Sequence, residues 1–412
     1  MKNFSVIFCI AFSLRIFAAI FFGDKILDHE FDVLARNFVN GFGYSYWSLL
    51  ENGELTNKYA PEALLHLPSA YMPILYPLLV TLFVYVFGYN SASVFLLLAF
   101  QSFLGAINCL MIGKIFEEKF NKKSFSLIYL TAFFPLHIFM STQISASTVY
   151  VFLISCVLLF YHRLLKFRDI KHSIFLGISL GLLTLSRADA ILIIPAIIIL
   201  LTFIHRNISS KYTLVFALSS LLIIAPLSVR NYNTFGFFYP LTISGGLNLW
   251  LGNNDDATGS RMNYVVPYKP IPKTIQDQIQ SLKVDENYEV ALDNIYKEEA
   301  KQFIINNPLK SVKLSIKKII FFWVHIYDER VKYPLMNNIL YWGPWIILLP
   351  FFMFGFRDII KDFKSHDLEI FLILYFTFIY SVFFVLPRYR LIVLPIYLIL
   401  SMKFFNKKFQ TN

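Results

Sequence analysis

The sequence predicts an all-α integral membrane protein of about ten spans, and three observations carry that reading. Of 412 residues, 57% are hydrophobic and only 15% are charged, whereas a soluble domain carries about a quarter charged residues. Apolar runs recur along the chain from Phe4 to Phe404. The 37 Lys and Arg, which give a net charge of +11, gather in short connections between those runs. Cytoplasmic loops show that pattern, so the charge speaks to topology and nucleic acid is not an expected partner. Cys9, Cys109 and Cys156 lie inside apolar runs, which argues against a disulfide framework.

A span needs about 20 apolar residues, or fewer inside a bundle. The first run, 4–22, is interrupted by Arg15 and lacks a small-x-small cleavage site, so it reads as a span and not as a removed signal. The runs 93–113, 125–141, 149–165, 173–186, 190–205, 212–229, 339–356, 368–386 and 391–404 follow. One further run, 73–88, opens on Pro73 and contains Pro77. The loops 114–123, 162–172, 205–211 and 357–364 and the tail from Lys403 are all rich in Lys and Arg. They share the cytoplasmic side only if 73–88 does not cross, so that run is expected to be interfacial or re-entrant on the outer side. Both termini are then cytoplasmic, in a multi-pass protein of the plasma membrane, of the bacterial inner-membrane type. The chain divides into an N-terminal membrane module (1–230) with a first external loop (23–92), a second external loop (231–338) and C-terminal spans (339–412).

Long loops in a compact protein commonly carry function. The first opens with Asp24, Lys25, Asp28, His29, Glu30 and Asp32. From Phe31 the apolar residues Leu34, Ala35 and Phe38 recur at helical spacing, which predicts an amphipathic helix on the membrane with Asp28 at or before its N-terminus. Asp28 suits a helix cap, and a partly desolvated carboxylate there also suits a general base. Arg187, Arg230, Arg388 and Arg390 fall at the external ends of spans, against the charge bias of that face. Arginine's planar fork fits phosphate, so the four mark a candidate anion site. In the second loop, 290–306 reads as an amphipathic helix ending before Pro308, and 313–327 as a helix at headgroup level. Trp250 suits a sugar site or an interfacial anchor. The sequence holds no zinc-ligand spacing, phosphate-cradling glycine loop or nucleophile elbow, and no clear ligand set for a divalent cation, so a cation requirement stays open.

These residues resemble the GT-C superfamily of membrane glycosyltransferases, in particular its dolichyl-phosphate-mannose protein mannosyltransferase and lipid A aminoarabinose transferase branch. The likeness runs through the acidic opening of the first loop into Phe31-Asp32-Val33-Leu34-Ala35-Arg36-Asn37, Asn40-Gly41-Phe42-Gly43-Tyr44, Tyr71-Met72-Pro73-Ile74-Leu75-Tyr76-Pro77-Leu78, Leu183-Thr184-Leu185-Ser186-Arg187, 226–231, 246–254, 303–308 and Pro387-Arg388-Tyr389-Arg390. The resemblance implies a GT-C-like bundle with interfacial helices in two external loops. It implies transfer of a sugar from a polyprenyl-phosphate donor to a lipid, glycan or protein acceptor at the external face. It makes Asp28 the first-loop carboxylate that activates the acceptor as base, with Glu30 as rival, and places Arg187, Arg388, Arg390 and Arg230 on the donor phosphate. Tyr71, Trp250 and Asn253 are the acceptor- or sugar-binding candidates. Two departures stand out. Ser147 occupies the place where the family often has a second acid, and Tyr71-Met72 replaces the Glu-Lys of the aminoarabinose branch. A transporter or flippase, the rival of another class, would favour internal repeats and charge at mid-membrane. A polysaccharide polymerase, also a polytopic enzyme with external arginines, explains the acidic helix less easily.

Overall fold

The computed structural model describes residues 2–27, 29–260, 271–324 and 335–409. The chain is a helical bundle with two structured loops at one pole. After α1 (Lys2–Phe22) comes the surface helix α2 (His29–Val39), then β1 (Ser45–Leu49), β2 (Leu55–Thr56) and β3 (Leu65–Pro68). α3 (Leu75–Phe87), α4 (Ser91–Phe120), α5 (Phe125–Phe133), α6 (Pro135–Phe139) and α7 (Ser147–Phe167) follow. α8 (Ile170–Ser186), α9 (Ile193–Ile199) and α10 (Ser210–Phe235) complete the first module. The second loop holds α11 (Gly245–Gly252), α12 (Lys273–Gln280), α13 (Tyr288–Asn306) and α14 (Pro308–Trp323), and α15 (Leu335–Ile360), α16 (Asp367–Val382) and α17 (Leu394–Phe409) close the bundle.

Among the described residues, six helical segments are long and apolar enough to cross a membrane, or seven if the bent pair α5–α6 counts as one span. The expected runs 173–186 and 190–205 form shorter apolar helices. The expected straight span over 125–141 is broken by 58°. Phe134 takes an extended conformation ahead of Pro135 (φ −66°, ψ 114°), as a residue before proline does. Helix ends are marked locally. Asn90 Oδ1 accepts from the N–H groups of Ala92 (2.9 Å) and Ser93 (3.1 Å) to start α4. Gly236 stops α10 at φ 71°, where glycine has no side chain to clash. α8 and α10 approach closely because Gly177 and Gly181 of α8 face α10: a Cβ on Gly177 would meet Ser219 at 2.5 Å, and one on Gly181 would meet Ile223 at 2.7 Å.

α1 and α4 run antiparallel. Gly23 packs against Leu98 near the start of α4, and the Phe4 ring lies 5.6 Å from that of Phe125, just past its end. Between them α3 stays at one pole, its Tyr76 hydroxyl 2.9 Å from Gln101 Oε1 and its Phe83 ring 5.9 Å from that of Phe100. The chain therefore reaches the second pole through α4, and the Lys-rich loop after α4 lies at the same pole as the start of α1. Charged connections meet there. Glu369 at the start of α16 pairs with Lys119 and accepts from His162 Nε2 at 2.8 Å, and Asp367 Oδ2 accepts from His205 Nε2 at 2.8 Å and the Tyr161 hydroxyl at 2.8 Å.

Arg15 is fully buried. Its guanidinium donates to the carbonyls of Ala11 (2.9 Å) and Ala132 (3.3 Å), to Cys109 Sγ (3.4 Å) and to His137 Nδ1 (2.6 Å), tying α1 to α4, α5 and α6. Nε alone finds no partner; the rest of this cation in the apolar layer is met by protein rather than by lipid. The first loop also contains a three-stranded antiparallel sheet in the order β2-β1-β3, which periodicity did not announce. It pairs Leu49 with Leu55 and with Leu65.

Candidate functional site

At the pole carrying both long loops, a cavity of about 560 Å³ is lined from six stretches of chain: Glu30 of α2, Met72 and Pro73, Ser145 and Ser147 at the start of α7, Arg187 and Asp189 after α8, Ser244 and Asn248 at α11, and Tyr380, Arg388 and Tyr389 of the C-terminal module. A second cavity of about 600 Å³ adjoins it and shares Ser145, Ser147 and Arg388, with Asp24 on its far wall. Asp24 fixes that wall, because its Oδ2 accepts from the Ile144 N–H at 2.7 Å and its own N–H donates to the Thr142 carbonyl at 3.0 Å. The start of the first loop is thus pinned to the turn between α6 and α7.

Arg187 ends α8 in an extended conformation (φ −148°, ψ 111°), which turns its side chain out of the helix. It is forked onto Asp189, with Nε to Oδ1 at 3.1 Å and Nη2 to Oδ2 at 2.7 Å. Tyrosines complete the cage: the Arg187 guanidinium lies 4.8 Å from the Tyr150 ring and 5.2 Å from that of Tyr389, and Nη2 also donates to the Tyr380 hydroxyl. The Tyr380 hydroxyl in turn lies 3.0 Å from Asp189 Oδ2. Arg388 is exposed where the two cavities meet, and no ion pair holds it among the described residues. Its backbone carbonyl accepts from the Tyr150 hydroxyl at 2.8 Å. The pocket therefore offers one arginine balanced by a carboxylate, one uncompensated arginine and the Glu30 carboxylate on its lining. Such a set can hold an oxyanion with its arginines and receive a proton on its carboxylate.

The other expected site residues are placed as follows. Asp28 lies outside the described residues. Tyr71 borders the site, donating from its hydroxyl to Glu30 Oε1 at 3.2 Å and stacking on Tyr46 with ring centroids 5.0 Å apart. The structure does not bring Arg230, Arg390, Trp250 or Asn253 to the cavity wall. Arg230 donates to the carbonyls of Ser69 (2.6 Å) and Tyr44 (3.3 Å), bracing the first loop. Arg390 is 1% exposed, with Nη2 on the Phe321 carbonyl at 2.8 Å and its guanidinium 3.8 Å from the Trp342 ring. Trp250 packs on Tyr296 in an apolar cluster of the second loop. Asn253 spends Nδ2 on the carbonyls of Leu249 and Val382 and accepts from Lys318 Nζ at 3.1 Å, joining α11 and α14 to α16. Burial lowers that Lys318 ammonium to about 8.

Sequence reasoning missed Asp189 and the tyrosine cage. Asp189 stands two residues from Arg187, a visible spacing, but Tyr150 and Tyr380 are two of 24 tyrosines and carry no local signal. It also missed Glu289 of α13. Its buried carboxylate accepts from Ser69 Oγ (2.7 Å) and the Ala70 N–H (2.9 Å), so the second loop holds the strand that leads to Tyr71 and Met72. Burial raises the Glu289 carboxyl to about 7, against the pull of those two donors. Among the described residues no group of three or more His, Cys, Asp or Glu side chains is placed to hold a metal ion.

Residues 71–229 match the family model described as dolichyl-phosphate-mannose-protein mannosyltransferase. That stretch contains Tyr71, Ser147 and Arg187 and stops short of Arg230 and the C-terminal arginines. The fold is similar to the Archaeoglobus fulgidus oligosaccharyltransferase tethered with an acceptor peptide containing the NVT sequon, with TM-score 0.56 and 14% identity over 99% of this chain and 49% of that one. It is equally similar to the archaeal oligosaccharyltransferase AglB from Archaeoglobus fulgidus in complex with an inhibitory peptide and a dolichol-phosphate, with TM-score 0.55 and 14% identity over 99% of this chain and 50% of that one. The chain spans about half the length of the solved structures it matches. No curated protein matches it in sequence. Identity at that level speaks to the fold alone, which this chain shares with the matched half of those two archaeal proteins.

Proposed function

We propose that this chain is a membrane glycosyltransferase that moves a sugar from a polyprenyl-phosphate donor to an acceptor at the external face of a bacterial plasma membrane. The observation that carries the reading is the meeting of Glu30, Arg187 and Arg388 around one cavity, although they lie in three distant parts of the sequence. The family match over 71–229, and the dolichol-phosphate and acceptor peptide in the two similar archaeal structures, support the same donor and acceptor classes. The external side follows from the charge bias: the cavities lie at the pole opposite the Lys-rich loops.

In this reading the acceptor hydroxyl attacks the anomeric carbon, and its proton passes to a first-loop carboxylate, Asp28 or Glu30. The bond from the anomeric carbon to the phosphate oxygen breaks, and the lipid phosphate leaves with the electron pair. Arg388 and Arg187 face the charge that develops on that phosphate, and fixed cations in a site shielded from water stabilise it strongly. Asp28→Asn and Glu30→Gln keep size while removing the base. Turnover of a labelled polyprenyl-phosphate sugar falls by about a hundredfold or more in one of them, with donor binding retained. Full turnover in both ends the single-carboxylate mechanism. Mass spectrometry of surface glycans and glycolipids from cells with and without the protein identifies the product. Unchanged glycans together with movement of intact labelled lipid would make the protein a flippase instead.

A further inference from the structure

At the pole away from the two cavities, a third cavity of about 410 Å³ opens between the ends of α4, α7 and α17 and the connection into α16. Part of its charge is already taken up inside the protein. Glu118 is held by Arg163 (2.6 and 3.0 Å), and Lys119 by Glu369 and by the Ser365 carbonyl at 3.0 Å. Lys403 and Lys166 also line the cavity, and neither forms an ion pair among the described residues. Of the remaining acids, Asp362 is exposed, where water and salt screen it, and Asp358, which also acts on Lys403, is paired with Lys407 at 2.8 Å.

His366 supplies an independent observation. It lines the cavity at 5% exposure, and Lys403 Nζ lies 3.4 Å from its Nε2. An ammonium only donates, so Nε2 accepts and the ring proton belongs on Nδ1. Nδ1 is buried without a hydrogen-bond partner. Burial, with Lys119 nearby, lowers this imidazole to about 4 and keeps it neutral, so Nδ1 stays a donor in search of an acceptor. The wall thus presents two ammonium groups without a carboxylate partner, beside a buried imidazole whose Nδ1 has no hydrogen bond, and the two cations suit an anion with several oxygens. Basic pockets between helices at the cytoplasmic headgroup level are suited to anionic lipid.

We propose that this cavity binds a phosphate group, held by Lys403 and Lys166 beside His366. The site is separate from the sugar-transfer cavities and does not rest on their assignment. Both an anionic lipid headgroup and free phosphate supply this chemistry. The test uses the full chain in neutral maltoside micelles and phosphate-free buffer, with thermal unfolding followed against dihexanoyl phosphatidate, dihexanoyl phosphatidylcholine and inorganic phosphate. The expected result is a saturable rise in Tm with phosphatidate, whose midpoint moves at least tenfold higher in Lys403→Gln/Lys166→Gln and not at all in Lys122→Gln. A rise with phosphatidate alone identifies a lipid headgroup, and a rise with inorganic phosphate as well identifies the phosphate group itself. The proposal is overturned if no ligand shifts the wild-type protein, or if the double variant responds at the wild-type midpoint. Should the double variant not fold, Lys166→Gln decides alone, because Lys166 is exposed and its loss leaves the bundle intact; an unchanged midpoint there also overturns the proposal.

Discussion

Arg388 and Arg390 sit two residues apart, yet their surroundings are opposite. Both belong to the tight 3-10 segment Pro387–Val393, in which residues two apart point roughly 120° away from one another. Arg388 reaches the junction of the two cavities, whereas Arg390 is enclosed by Phe321, Trp342 and Trp345. The sequence motif contains both, and nothing in it says which faces the cavity. Arg388→Ala is expected to weaken donor binding by about 1.5–3 kcal/mol, the worth of one charge-assisted contact, with partial rescue by Lys. Arg390→Ala is expected instead to lower the unfolding temperature. Donor KM and Tm measured on both variants separate the two roles, and a KM effect at Arg390 with unchanged Tm would reverse the assignment. Arg187 was legible as an arginine at a span end. Its clamp by Asp189 and its tyrosine cage were not, because they depend on α7, α16 and the 3-10 segment converging.

At the scale of elements, the junction between β3 and α13 is held by one buried carboxylate. Glu289 is raised to about 7, above the usual carboxyl value near 4.3. The native state therefore binds more protons than the unfolded chain between those two values, and stability falls as pH rises from about 4.5 through 7. Tm measured from pH 5 to pH 8 should decline in the wild-type protein and flatten in Glu289→Gln, which keeps an acceptor for Ser69 and Ala70. A decline of equal size in both proteins places the titrating group elsewhere. Helices were the most legible elements: the amphipathic runs expected over 290–306 and near 313–327 appear as α13 and α14, and residues 325–327 lie outside the described residues. The break at Pro135 was written in the sequence, but length alone made 125–141 look continuous. The hairpin at Asn52-Gly53 was also written there, and was hidden by strands too short to establish a period.

For the whole molecule, the thread of spans through the bilayer rests on charge bias together with the geometry of two poles. Lys122 is exposed at the Lys-rich pole, while Glu54 and Lys297 are exposed in the two long loops. Cysteine placed at positions 54 and 297 is expected to react with a membrane-impermeant reagent in intact cells, and cysteine at 122 only after the cells are opened. Labelling at 122 in intact cells would invert the threading and put α3 across the membrane. Hydropathy made the bundle legible because burial in lipid is a property of single residues summed over a window. The site was only half legible because a cavity is a property of segments far apart in sequence, and Glu30 and Arg388 are separated by most of the chain.

The buried Arg15 network has a consequence for biogenesis. When α1 leaves the ribosome, its partners Cys109, Ala132 and His137 do not yet exist, and an arginine near the centre of a lone helix costs about 2.5–3.5 kcal/mol on insertion scales. The first helix should therefore remain loosely held at the translocon until about residue 140 has been synthesised. Nascent chains truncated after the first loop are expected to be extracted from membranes by alkali, and those truncated after α7 to resist it. Arg15→Leu should make the short chains resistant as well, so that the arginine acts as a timer that delays release of the first helix into lipid until the helices that will neutralise it have arrived.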